Sequence, residues 1–199
     1  MDAALVPLWL KIAYTVGAGI VLVIYWFKYG PGNYLWFSDI ALIVAIPALW
    51  LESSLLASMM AVGVLLPEAV WNFSFFSRLL LRRRVTGMTD YMFERERSLF
   101  LRSLSLFHVP LPLILLWLVY KLGYSPEAWL GMTLLAWIVL PLSYWLTEPF
   151  KNVNWVRGWG GEGTVQTLLP PLGHLAFLMA GFPILIYAPT HWLLNRLFG

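Results

Sequence analysis

Residues 34–72 read YLWFSDIALIVAIPALWLESSLLASMMAVGVLLPEAVWN, thirty-nine positions carrying three charges, Asp39, Glu52 and Glu68. A helix crosses the hydrocarbon layer of a bilayer in about 20 mostly apolar residues. The apolar stretches 34–51 and 53–72 each meet that length and are joined only around Glu52, so they read as a tight helical hairpin in a membrane. Four further stretches of the same kind lie outward from it: 6–27, 99–120, 127–148 and 167–188. Turn chemistry separates them at Tyr29–Asn33 (YGPGN), Gly123–Pro126 (GYSP) and the glycine-rich run 158–163. The expected fold is therefore all-α, a single integral membrane domain over 1–199 built as a bundle of six transmembrane helices. Residues 189–199 are expected to form a short interfacial helix with Trp192 and Arg196 at the headgroups.

Composition agrees with this reading. Of 199 residues, 60% are hydrophobic and 12% charged, and mean hydropathy is +0.75, whereas soluble domains carry roughly 25% charged residues. Twelve Trp, nine Tyr and twelve Phe suit aromatic belts at the headgroup level. The absence of cysteine excludes disulfides, thiolate metal sites and a cysteine nucleophile. The first helix has Asp2 in place of a basic leader and no small-residue cleavage site, so it reads as a retained anchor.

Charge sets the expected orientation. Ten basic residues, among them Lys28, Arg82, Arg83, Arg84, Lys151 and Arg157, fall in the loops between spans 1–2, 3–4 and 5–6, and only Lys11, Lys121 and Arg196 lie on the other side. By the positive-inside rule both termini are outside and these loops are cytoplasmic. The pI near 9.3 is thus a topology signal, with no nucleic acid implied. The cytoplasmic basic loop 73–98 sets Arg82–Arg84 beside Phe75, Phe76 and Leu79, a patch suited to anionic headgroups of membrane lipids or simply to fixing topology.

The polar residues inside the spans carry the functional reading. Counting about 1.5 Å per residue from the cytoplasmic ends puts Asp39, Glu68, His108, Tyr144 and His174 roughly 6–13 Å deep, on five different helices. Ionisable groups in hydrocarbon are costly and usually line a cavity, pair or function. A polar chamber open to the cytoplasm follows. Thr133, Trp137, Pro141, Tyr144 and Glu148 form one helical stripe expected to face it. Pro110 and Pro112 free the carbonyls of residues 106 and 108, which other polar groups must satisfy.

Two chemistries fit. In the first, Ser38 is a nucleophile, His108 its general base, Asp39 the orienting carboxylate, and Tyr144 and Asn154 are oxyanion donors, the parts of an acyl-transfer site. The plainer roles for the same groups are a backbone bond for Ser38, a helix-locking pair of Asp39 with Arg102, and loop ordering by Asn152–Trp155. In the second, Asp39, Glu68, His108 and His174 hold a zinc ion, since imidazole and carboxylate are its usual ligands, as in metal-dependent lipid amidases of the ceramidase type. No HxxxH or HExxH pairing is present, so each ligand comes from a separate helix. A non-enzymatic assembly or scaffold subunit, its polar groups acting as interhelical glue, stays open as the alternative. A transporter is disfavoured by the lack of an internal repeat.

The runs YLWFSD (Tyr34–Asp39), LLASMM (Leu55–Met60) and NVNW (Asn152–Trp155) resemble an uncharacterised bacterial family described only as membrane-associated proteins. That likeness extends over most of the chain, carries no function, and implies a bacterial inner membrane. More distantly, WFSD (Trp36–Asp39) and HVPLP (His108–Pro112) are similar to six-pass enzymes that hydrolyse fatty acid esters of hydroxy fatty acids, and to related membrane acyltransferases. The resemblance implies a lipid hydrolase or acyltransferase working without a cofactor. In those hydrolases a threonine precedes the aspartate by three residues, where this chain has Trp36, so Ser38 has to take that role.

Overall fold

The computed structural model describes residues 4–199, and every regular element among them is helical. Eight α-helices follow one another: α1 (Leu8–Tyr29), α2 (Phe37–Trp50), α3 (Ser54–Leu81), α4 (Leu99–Leu104), α5 (Pro110–Leu122), α6 (Ala128–Leu146), α7 (Pro171–Gly181) and α8 (Ala188–Phe198). Five rods are long and apolar enough to cross a membrane: α1, α3, α4–α5 taken together, α6, and α7–α8 taken together.

The sixth expected span, 34–51, is where sequence and structure part. Gly30 adopts φ 77°, a 3₁₀ turn occupies Pro31–Leu35, and Trp36 is extended, so α2 starts only at Phe37. Its 14 residues give about 21 Å, short of the ~30 Å hydrocarbon layer. The late start has a local cause: glycine takes the left-handed turn without penalty, and the following proline favours a new helical start over continuation of α1.

α3 is the central helix. It packs on α2, α5, α6 and α8, and its most apolar stretch is 50% buried against 22–33% for the other four rods. Small residues allow the close packing: Ala41, Ala45 and Ala48 of α2 and Ala57 and Ala61 of α3 are fully buried. Where α3 meets α6, a Cβ on Gly63 would lie 2.6 Å from Met132, and one on Gly131 would lie 2.8 Å from Met59. Each glycine leaves the space that the opposite methionine fills, the small-residue contact that membrane helices favour. The outer surface of α1 exposes Leu8, Trp9, Ile20, Val23 and Phe27.

Three boundaries differ from expectation. α3 runs nine residues past Asn72, to Leu81, so the basic loop begins at Arg82, which closes the helix in the left-handed conformation. The 99–122 rod contains a 3₁₀ turn at Ser105–His108 ahead of Pro110, as a proline that cannot donate to the preceding turn requires. The C-terminal rod is continuous. Pro183 widens it into a π-turn over Phe182–Tyr187, and α8 follows directly where a separate interfacial helix was expected.

The stripe expected on the fifth span is also displaced. Trp137 is 48% exposed and donates from Nε1 to the Met179 carbonyl at 2.9 Å. The inward face instead carries Met132, Thr133, Ala136, Val139, Leu140 and Ser143. Small side chains permit the close approach to α3, and the bulky Trp137 goes to the rim where its one polar atom still finds a carbonyl.

Candidate functional site

A cavity of about 360 Å³ lies among the C-terminal end of α1, the start of α2, the middle of α3, the Ser105–His108 turn, and two covering loops, 82–98 and 147–170. Ser38, Asp39, Glu68, His108 and Asn154 all line it; Tyr144 and His174 do not.

His108 is the best-defined group in the cavity. Its Nδ1 lies 2.9 Å from both carboxylate oxygens of Glu68, and its ring is stacked between Trp71 (4.5 Å, 21°) and Phe107 (4.2 Å, 24°). One nitrogen therefore faces a nearly fully buried carboxylate; in the neutral imidazole such a contact sets the proton on Nδ1 and leaves a lone pair on Nε2. The carbonyl of His108, which Pro112 cannot satisfy, accepts instead from Asn72 Nδ2 at 2.8 Å, and Asn72 also holds the Glu68 carbonyl at 2.9 Å. The freed carbonyl thus has the polar partner that the proline demands, and the same bond ties α3 to the His108 turn.

Asp39 does not fill the expected role of His108 partner; Glu68 does. Asp39 stands in the first turn of α2, where the helix dipole favours a carboxylate. It is 4% exposed, and its Oδ1 has no hydrogen-bond partner among the described residues. Arg102 does not meet it either, donating to the Met92 carbonyl at 2.8 Å. Ser38 is half-buried and lines the cavity with His108, with no hydrogen bond between them among the described residues. Ser105, three residues before His108, is a second buried hydroxyl on the cavity wall and lies 2.8 Å from Tyr25 Oη.

Asn154 and Tyr144, expected as oxyanion donors, are otherwise engaged. Asn154 accepts from the Phe37 amide (3.1 Å) and donates to the Leu35 carbonyl (2.7 Å) and Ser143 Oγ (3.1 Å). It thereby caps the first turn of α2 from a distant loop, and both amide atoms are used. The conformation that permits this is left-handed, φ 52°, in a segment where Asn152 (48°) and Trp155 (61°) are left-handed too. Asparagine tolerates that region; a bulky Trp155 there is a strained position held by its surroundings. Tyr144 lies under Arg157, whose guanidinium is 3.8 Å from the ring centroid and donates to the Tyr144 carbonyl at 2.6 Å.

His174 is buried away from the cavity, its Nε2 2.9 Å from the Trp155 carbonyl and its Nδ1 without a partner. The four side chains considered for zinc do not gather: no group of three His, Asp or Glu among the described residues is placed to share a metal ion.

The roof is polar and self-paired. Asp90 takes both Arg78 and Arg84. Arg97 joins Glu94 (2.7 Å) in its own loop to Glu162 (2.5 Å) in the other. At their seam a Cβ on Gly161 would lie 3.1 Å from the Gly87 carbonyl, so backbone meets backbone there. Beneath the roof, burial pushes the Tyr91 phenol above its usual range.

No known protein family, curated protein or solved structure matches the chain. Function therefore rests on the site itself. Sequence reasoning overlooked the aromatic walls, Trp71 and Phe107 above all. Their signal was position: Trp71 is one turn beyond Glu68, and Phe107 adjoins His108.

Proposed function

We propose that this chain is a six-pass protein of a bacterial inner membrane, with both termini outside and the cavity toward the cytoplasm, that hydrolyses or transfers lipid acyl groups. For the short α2, the 3₁₀ turn at Pro31–Leu35 supplies about 10 Å of further path, which with the helix matches a bilayer crossing. The observation that carries the enzymatic reading is the Glu68–His108 pair: an imidazole oriented by a carboxylate, flanked by aromatic rings, with its second nitrogen free in a cavity.

In this reading Ser38 Oγ attacks the lipid carbonyl and His108 Nε2 accepts its proton. Glu68 fixes the tautomer and stabilises the imidazolium that forms. The proton passes to the departing alcohol, and water or a second acceptor, deprotonated by His108, resolves the acyl-serine. Catalytic hydrogen bonds are often long without substrate and tighten in the complex. Because Asn154 is committed, the oxyanion donors fall to the unpaired first-turn amides of α2, those of Ser38 and Asp39. Lipid acyl chains arrive laterally from the bilayer, and exposed Arg82 and Arg83 meet anionic headgroups at the surface.

A second reading, an assembly subunit, is favoured by the structural engagement of Asn154 and of the Asn72–His108 bond. Fluorophosphonate labelling of detergent-solubilised protein separates the two. The enzymatic reading expects labelling of wild type that disappears in Ser38→Ala and His108→Ala while Ser105→Ala keeps it. Folded wild type that takes no label, beside a serine hydrolase that does, sinks the serine mechanism and leaves the scaffold.

A further inference from the structure

Beyond the acyl chemistry, the cavity has a pronounced preference of charge. Five carboxyls line it against three fixed cations, Arg84, Arg97 and Lys151. The cations and the roof carboxyls are committed to one another, Arg84 to Asp90 and Arg97 to Glu94 and Glu162; Lys151 donates to the Tyr29 carbonyl at 3.1 Å, and Glu68 meets His108. Asp39 is left as a nearly fully buried carboxyl whose Oδ1 meets no donor among the described residues.

A buried polar atom without a partner is costly, and a buried charge more so. An anion entering here would meet Asp39 and Glu68. A neutral apolar group would leave Asp39 unsatisfied. A divalent metal finds no group of three His, Asp or Glu ligands among the described residues. The remaining walls are aromatic: Tyr25, Tyr29, Trp36, Trp71, Tyr91 and Phe107. Aromatic faces attract organic cations, and indole does so best. Rings around one carboxylate are the arrangement that binds an alkylated ammonium group, which takes its counter-charge from the acid and its contacts from the rings.

We infer that the cavity is a binding site for an alkylammonium group, with Asp39 as counter-ion. Its volume of about 360 Å³ is at the small end of small-molecule sites, enough for a choline- or ethanolamine-sized group. That group is either a lipid headgroup or a free amine. As a statement of substrate the inference rests on the enzymatic reading above; as a statement of binding it does not.

The test is calorimetric titration of the full chain in a maltoside detergent. Choline and its uncharged isostere 3,3-dimethyl-1-butanol are the first probes; phosphatidylcholine and phosphatidylglycerol in nanodiscs are the second pair. Choline is expected to bind at least about tenfold more tightly than the isostere, and Asp39→Asn to remove at least about tenfold of that affinity. Binding of phosphatidylcholine over phosphatidylglycerol with little affinity for free choline identifies a lipid headgroup; tight free choline identifies a soluble amine. Equal binding of choline and isostere with no preference for phosphatidylcholine, no binding of any ammonium probe by folded wild type, or folded Asp39→Asn that binds like wild type overturns the proposal. If Asp39→Asn does not fold, the charged–uncharged comparison on wild type and the weaker binding expected of Trp36→Leu decide it. Fluorophosphonate labelling without ammonium binding defeats this inference alone; ammonium binding without labelling defeats only the serine mechanism.

Discussion

The Nδ1 atom of His108 lies 2.9 Å from each carboxylate oxygen of Glu68, so one ring nitrogen is committed and the other is open to the cavity. The two residues come from α3 and from the 3₁₀ turn that Pro110 and Pro112 follow. A base oriented in this way contributes roughly 10²–10⁴-fold to a proton-transfer step. Glu68→Gln keeps the shape and a hydrogen-bonding group but offers the imidazole the wrong partner. Hydrolysis of a fluorogenic lipid ester is expected to fall by about 10²-fold or more in Glu68→Gln, with little change in apparent KM and a normal elution profile. Undiminished turnover in a folded variant removes Glu68 from the mechanism.

Asn154 predicts the opposite kind of effect. Its side chain makes three hydrogen bonds, two that hold the start of α2 against loop 147–170 and one to Ser143 of α6. Asn154→Ala deletes all three and puts alanine in a left-handed conformation, and each unsatisfied buried partner costs about 1–3 kcal/mol. A marked drop in the melting temperature of the solubilised protein is expected. Asn154→Asp, which keeps the acceptor for the Phe37 amide but loses both donated bonds, should fall between. An Asn154→Ala protein as stable as wild type but inactive would instead return Asn154 to the chemistry.

These two residues also mark how much the sequence discloses. Long apolar runs identify the rods because some 20 consecutive apolar residues suit one continuous helix, and counting residues from the ends brings Asp39, Glu68 and His108 to a similar level. Which carboxylate meets the histidine depends on rotation about each helix axis, which depth does not determine, and so Asp39 was assigned where Glu68 stands. The same limit explains Trp137: polarity alone turned it inward, whereas close packing of α3 and α6 through Gly63, Gly131 and Ala136 turned it out. The start of α2 was hidden because Tyr34, Leu35 and Trp36 are as apolar as a helix requires while Gly30 and Pro31 set the backbone. Asn154 was legible as a loop-ordering residue from its type, but its partners in α6 and ahead of α2 are distant in sequence.

Glu52 provides a pH-dependent check at the other end of the molecule. At the hairpin tip, its carboxylate accepts from Lys11 Nζ (2.8 Å) and from the Leu5 and Val6 amides (3.0 and 3.1 Å). The Lys11 bond first, then the two amides, hold its pKa below the ordinary 4.5. A carboxyl lowered on folding contributes stability that is fully present above the unfolded value and is lost as pH falls through the folded one. Wild-type melting temperature should therefore drop as pH is lowered below about 4.5, and Glu52→Gln should be less stable at pH 7 with a flatter profile through that range. Parallel profiles for the two proteins would show that the carboxylate does not anchor α1.

Arg97 tests the roof. It is the ionic bridge between loop 82–98, through Glu94, and loop 147–170, through Glu162. Ion pairs this close to the surface are worth about 0–1 kcal/mol each, so Arg97→Ala is expected to leave the melting temperature almost unchanged. Local opening is a separate quantity from global stability and follows from what holds a loop in place. Amide hydrogen exchange in segments 84–97 and 158–164 should accelerate several-fold in Arg97→Ala, while α3 and α6 keep wild-type protection. Glu162→Gln should reproduce the acceleration, and the charge-swapped pair Arg97→Glu with Glu162→Arg should restore slower exchange if the bridge, and not the arginine alone, holds the two loops together. Exchange that stays at wild-type rates in both single variants would assign closure of the cavity to the Gly87–Gly161 backbone contact instead.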